Sequence, residues 1–238
     1  MRLYDECLTG VSKLIDEYGA RSLDIGESAA WKDAGKNQII FQNDTAYELG
    51  GGTYPAVSSI ALTDSADFVP RDEVLLIGDD LPDIKGDTPF ARIALIRVDE
   101  ESMGSGNALY QAVRQIEYAR YRLNPEGYMM RISAFSHREA ARVSSEALTH
   151  GLDFAKVGRL FIEEYKKRAQ VEAVKLLFVT AREFPYEQLS AVMEKSEKIT
   201  TALDHIMKDV RMDCSTCSLK DVCEEVEALC NKDFPDKK

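Results

Sequence analysis

The chain has 238 residues, 45% of them hydrophobic and 30% charged, with a formal net charge of −11. That length can bury a real core as one large domain or two smaller ones, and the acidic balance argues against non-specific nucleic-acid binding, which needs Lys and Arg to neutralise phosphates. No apolar run approaches the roughly 20 residues that span a bilayer, and the opening MRLYDECLTG lacks the apolar stretch and cleavage site of a secretory signal. The expectation is a cytoplasmic protein with no membrane and no nucleic-acid partner.

Residues 2–18 predict an amphipathic helix, because Leu3, Cys7, Leu8, Val11, Leu14, Ile15 and Tyr18 recur at helical spacing between charged positions. Cys7 falls on that stripe and reads as a small core residue. Residues 37–98 change character. Short apolar runs at 38–42, 56–62, 74–77 and 92–98 alternate with turn-forming clusters such as Gly50-Gly51-Gly52 and Gly78-Asp79-Asp80-Leu81-Pro82, which is strand-and-loop sequence.

From residue 104 onward helices and strands alternate. A helix over 106–123 carries Leu109, Val113 and Ile116, and Asn124-Pro125-Glu126-Gly127 stops it, since the residue before a proline is pushed out of the helical region. Residues 128–134 predict a strand. Ser136 with Glu139 has the spacing of a capping box heading another helix. Residues 154–168 predict a helix, 171–180 an apolar strand and 185–210 a long helix. The fold class expected is α/β or α+β, a mixed sheet flanked by helices, with a C-terminal four-cysteine metal-binding segment. The division expected is a helical segment over 1–35, the α/β domain over 36–210 and the cysteine-rich segment over 211–238.

Four of the five cysteines, Cys214, Cys217, Cys223 and Cys230, lie within 17 residues. In a reducing compartment clustered thiols point to metal or catalysis rather than disulfides. Thiolates repel one another, and a cation or cluster that neutralises them accounts for such density. Zinc often begins with C-x2-C but takes its second pair as another close pair. Here the third and fourth cysteines are strung out singly, which suits a [4Fe–4S] cubane with its wider-set corners. Zinc and redox thiols stand as alternatives. An unbroken helix through residues 222–229 would separate Cys223 from Cys230 by about 10 Å along its axis, so four-thiolate binding requires a bend there. The acids Asp209, Asp213, Asp221, Glu224, Glu225 and Glu227 read either as a solvated face or as charge that lowers a cluster's potential.

With these residues in view, the stretch from about Ala46 to Cys230 resembles the middle part of the β subunit of the carbon monoxide dehydrogenase/acetyl-CoA synthase complex. The resemblance runs through Tyr47-Glu48-Leu49-Gly50-Gly51, Gly127-Tyr128-Met129-Met130-Arg131-Ile132-Ser133 and Gly151-Leu152-Asp153-Phe154-Ala155-Lys156-Val157-Gly158. It continues through the strand over 171–180 and a long helix to the four cysteines. It implies that Cys214, Cys217, Cys223 and Cys230 ligate a [4Fe–4S] cluster and that Cys217 also bridges to a labile nickel ion. It further implies anaerobic one-carbon metabolism with partners such as a carbon monoxide dehydrogenase or a corrinoid protein. The sequence departs from the family in its shorter cysteine gaps and in having no Cys-Gly-Cys in the eight residues after Cys230. The expectation is therefore an accessory or partial subunit. An electron-transfer or redox-sensing protein and a structural zinc module are the alternatives.

Other candidates are weaker. Met103-Gly104-Ser105-Gly106-Asn107 leads into a helix without a full phosphate-binding pattern, and a plain helix entry is expected. His137 and His150 read as surface or capping residues. His205, nine residues before Cys214, reads as solvent-facing or as a neighbour of the metal. Arg114, Arg120, Arg122, Arg131, Arg138 and Arg142 read as charged helix surface, with an anion-binding or docking face as the alternative.

Overall fold

The computed structural model describes residues 2–26, 31–132, 138–208 and 217–230. In chain order its elements are α1 (Asp5–Tyr18), β1 (Arg21–Leu23), β2 (Thr45–Leu49), β3 (Ala56–Thr63), β4 (Glu73–Ile77), β5 (Phe90–Val98), α2 (Glu100–Met103) and α3 (Gly106–Glu117). There follow β6 (Tyr128–Ile132), β7 (Glu139–Ser144), α4 (Ser145–Thr149), α5 (Phe154–Lys166), β8 (Val171–Val179), α6 (Tyr186–Met207) and α7 (Lys220–Cys230).

A five-stranded mixed sheet runs β1-β4-β8-β5-β3, and a three-stranded sheet runs β2-β7-β6. In the larger sheet β4 and β8 are parallel, as are β5 and β3, while the contact of β8 with β5 is antiparallel. The result is the α/β architecture expected. Near-continuous apolar strands are what a sheet covered on both faces requires, and β5 is buried from Phe90 through Ile96. One face receives α5, where Gly158 lets the helix approach Val74 and Phe178 without an intervening Cβ. Helices α1 and α6 pack on each other, with α6 also lying along β3. Cys7 is fully buried in α1, as its place on the apolar stripe predicts. Asp153 caps α5, its carboxylate accepting from Lys156 N at 2.8 Å.

Two expectations fail. Residues 139–144 are the strand β7 and not the helix expected after Ser136, which itself lies outside the described residues. The burial of β7 alternates strictly, with Glu139, Ala141 and Val143 inward, so a period of two outweighed the capping-box spacing. Residues 38–42 form no strand. Ile39 and Phe41 point out, 68% and 65% exposed, and the Gln38 side chain instead ties this loop to the turn at Pro125 O and Gly127 N.

The two sheets meet at a buried ion pair. Arg92 on β5 donates to both carboxylate oxygens of Glu139 on β7, through Nε at 2.8 Å and through Nη2, and both side chains are wholly buried. Ser58 on β3 donates to Glu139 at 3.2 Å and accepts from Arg120 at 3.1 Å. The Phe161 ring of α5 lies 4.2 Å from the Arg92 guanidinium carbon. Burial alone would favour a neutral arginine, but Glu139 outweighs it and holds Arg92 firmly charged.

Candidate metal centre

Cys214 lies outside the described residues, and α7 with the turn before it carries Cys217, Cys223 and Cys230. The helix is set by Leu219, Val222, Val226 and Cys230, spaced three, four and four residues apart, which form one buried stripe. That stripe packs on α6, and α7 also touches α3. Lys195 on α6 reinforces the contact, reaching Glu225 on α7 at 3.7 Å and Glu6 on α1 at 3.2 Å.

The three described thiols are not equivalent. Cys217 and Cys223 are half-buried and flank the amino end of the helix, where Cys223 N donates to Leu219 O at 2.9 Å and Lys220 N to Cys217 O at 3.4 Å. Cys230 is 4% exposed and belongs to the core. Burial pushes its thiol up, with Glu227 adding to the shift. Because α7 is unbroken, seven residues at about 1.5 Å each put Cys223 and Cys230 about 10 Å apart along the axis. Two sulfurs on one zinc ion, each about 2.3 Å from it, cannot be more than about 4.6 Å apart. A cubane is more generous, but helical side chains all lean toward the amino end, so the two sulfurs keep the separation of their Cα atoms. Cys217 and Cys223 both lie near the amino end of α7, whereas Cys230 lies too far along the helix to share one zinc ion with Cys223. Among the described residues no group of three or more His, Cys, Asp or Glu side chains is disposed to hold a metal ion.

The acids of α7 (Asp221, Glu224, Glu225 and Glu227) are all exposed, and Asp209 and Asp213 lie outside the described residues. His205 is half-buried in the last turn of α6 and lines a cleft of about 500 Å³ with Arg114, Tyr118, Arg120, Tyr121 and Lys208. His150 is exposed at the end of α4, as expected, and His137 lies outside the described residues.

The six arginines do not form one face. Arg114 lies over Tyr118 and Arg120 over Tyr121. Arg131 and Arg142 grip Glu48 at 2.5 and 2.7 Å. Arg138 donates to Tyr54 O at 3.4 Å, and Arg122 lines a separate hollow with Asp33 and Arg168. The entry over residues 103–107 is the junction of α2 and α3, as expected.

Sequence reasoning passed over a second cleft, of about 680 Å³, at the carboxyl ends of the parallel pair β4 and β8. Gly78, Asp79, Lys85, Asp87, Thr180 and Arg182 line it. The carboxyl ends of parallel strands are a common ligand position in α/β sheets, and Gly78-Asp79 right after an apolar strand was the available signal.

No protein-family model matches the chain, and a search of curated proteins finds no match. Among the described residues no helix is long and apolar enough to cross a membrane.

Proposed function

We propose that this is an acetyl-CoA-synthase-like iron–sulfur protein of anaerobic one-carbon metabolism. The thiols of Cys214, Cys217 and Cys223 are the proposed ligands of a [4Fe–4S] cluster, Cys230 could join them only if α7 opened, and Cys217 is the position for a labile nickel ion. It acts in the cytoplasm with protein partners of the carbon monoxide dehydrogenase or corrinoid type. The observation that supports this reading is that Cys217 just before α7 and Cys223 in its first turn are both half-buried, in a sequence that sets Cys214 three residues before Cys217. A cluster there would supply one-electron chemistry and a thiolate-bound metal surface. Cys217 and Cys223 would help to hold it, while α7 itself packs on α6 and leaves its acidic face to solvent. Iron, sulfide and nickel analysis of anaerobically purified protein, with electron paramagnetic resonance, tests the proposal. Near-stoichiometric cluster is expected, and a colourless protein without iron sinks it.

The exposed acids of α7 favour a second reading, an electron-transfer or redox-sensing protein, because negative charge near an anionic cluster lowers its potential. A reversible one-electron couple without nickel selects it. Stoichiometric zinc instead selects a structural module.

A further inference from the structure

We infer that the cleft at the carboxyl ends of β4 and β8 binds a small zwitterion of the amino-acid type, with Arg182 taking its carboxylate and Asp79 its ammonium group. This site stands apart from the cysteines and owes nothing to the metal reading. Ile77 and Val179, the last residues of the two strands, are register partners, so the strands end side by side. Gly78 makes their close meeting possible: its φ is +106°, and a Cβ there would lie 2.5 Å from Ala181 N. Thr180 Oγ1 donates to Asp79 O at 2.7 Å, and Thr88 Oγ1 donates to Thr180 O at 3.3 Å. The floor of the cleft thus satisfies its own polar groups, and recognition falls to the charged side chains around it. Asp79 and Arg182 come two and three residues beyond the ends of these strands, which as neighbours lie about 4.8 Å apart.

Arg182 is held in place by uncharged groups. Its Nη2 donates to Asp87 O at 2.7 Å and its Nη1 to the Tyr54 hydroxyl at 3.3 Å, with the guanidinium carbon 5.5 Å from the centre of the Tyr54 ring. Nε and the second hydrogens of both Nη atoms are left for a carboxylate, which the planar fork can hold with two parallel bonds. Lys85 lines the same cleft, as do Asp79, Asp83 and Asp87. Asp87 is engaged elsewhere, accepting from Glu48 N at 2.7 Å. Among the described residues neither Arg182 nor Lys85 forms an ion pair, with these acids or with any other. Charges of both signs therefore line one cleft without neutralising each other, and a molecule that carries both signs is their complement. Two bases against three acids leave the lining slightly negative, which disfavours a dianion such as phosphate but not a ligand of zero net charge. The volume of about 680 Å³ has room for an amino acid with its side chain, which Tyr54 and Ile84 can flank.

The test uses the full chain as wild type, Arg182→Met and Asp79→Asn, with circular dichroism to confirm folding; both side chains are exposed, so neither change reaches the core. A thermal-shift screen of the standard L-amino acids picks the tightest ligand. Calorimetry then measures its Kd beside those of its N-acetyl derivative, which lacks the ammonium group, its amide, which lacks the carboxylate, and inorganic phosphate. At least one amino acid should bind the wild type saturably. Either cap, and either substitution, should weaken that binding about tenfold to a hundredfold, the worth of one hydrogen bond to a charged group. The losses should match their partners: the N-acetyl derivative should bind Asp79→Asn no worse than wild type, and the amide should bind Arg182→Met no worse. Saturable binding by no amino acid overturns the site. An N-acetyl derivative that binds wild type as tightly as the free amino acid, or phosphate that binds more tightly, also overturns it and marks a plain anion site. Wild-type affinity in folded Arg182→Met or Asp79→Asn overturns the role given to that residue.

Discussion

Replacing Arg92 with Met isolates the energetics of the junction between the two sheets. The Glu139 carboxylate would then stand buried with only the Ser58 hydroxyl for company, because Arg92 supplies its two charge-assisted hydrogen bonds and both side chains are 0% exposed. Breaking one partner of a buried pair costs about 3–5 kcal/mol, since the remaining charge loses water without compensation. For a chain of this size each kcal/mol moves the melting temperature by roughly 2–4 °C, so Arg92→Met should lower it by roughly 6–20 °C. Glu139→Leu should behave similarly, leaving a buried guanidinium. The double variant, with neither charge, should be more stable than either single one, because apolar side chains of similar volume replace such pairs at little or no cost. Urea denaturation of all four proteins at neutral pH measures the cycle. Single variants that lose less than about 1 kcal/mol, or a double variant that loses the sum of both, would refute the reasoning.

Three further outcomes follow from other contacts. Gly158→Ala should destabilise the fold even though alanine favours a helix by about 1 kcal/mol. Its Cβ would lie 2.5 Å from Val74 Cγ2, and overpacking of that kind costs about 1–3 kcal/mol, which the urea midpoint will register. At Glu48, burial alone would raise the carboxyl, but Arg142 and Arg131 outweigh it and hold it below the usual range. A depressed carboxylate adds stability above its unfolded pKa and loses it as pH falls through the folded value. Glu48→Gln should therefore flatten the acid limb of a stability–pH profile and spare the alkaline side. In the metal-free chain Cys230 should resist iodoacetamide longer than Cys217, because it is buried and its thiol is pushed up; mass spectrometry of the time course reads the order.

Much of this architecture could be read from residue spacing. The helices α1, α5 and α6 and the strands β3 and β8 lie close to where periodicity puts them, because each is long and one-sided or wholly apolar. The short strands β1 and β2 escaped notice, since Arg21-Ser22-Leu23 and Thr45–Leu49 owe their form to pairing with β4 and β7 and not to their own pattern. Arg92 offered a cue that went unused: a single charge in the apolar run of β5 calls for a buried partner. Which residue answers it depends on the packing of two sheets, and Glu139, 47 positions away, could not be found by spacing. At the cysteines, composition revealed a cluster of thiols. The straightness of α7 and the burial of Cys230 set it apart from Cys217 and Cys223.

The central place of β8 in the larger sheet has a consequence for how the chain comes to be folded. In register its neighbour β4 precedes it by about a hundred residues and β5 by about eighty, as the pairings Leu76 with Phe178 and Ile96 with Val174 show. Until residues 171–179 emerge from the ribosome, the strand that joins the β1-β4 pair to the β5-β3 pair is missing, and β4 and β5 each lack their neighbour on that side. Exposed edges of that kind recruit other chains. Truncations ending before residue 171 should thus aggregate during synthesis, and slow elongation across that interval should lower the yield of soluble protein, whatever the finished fold's stability.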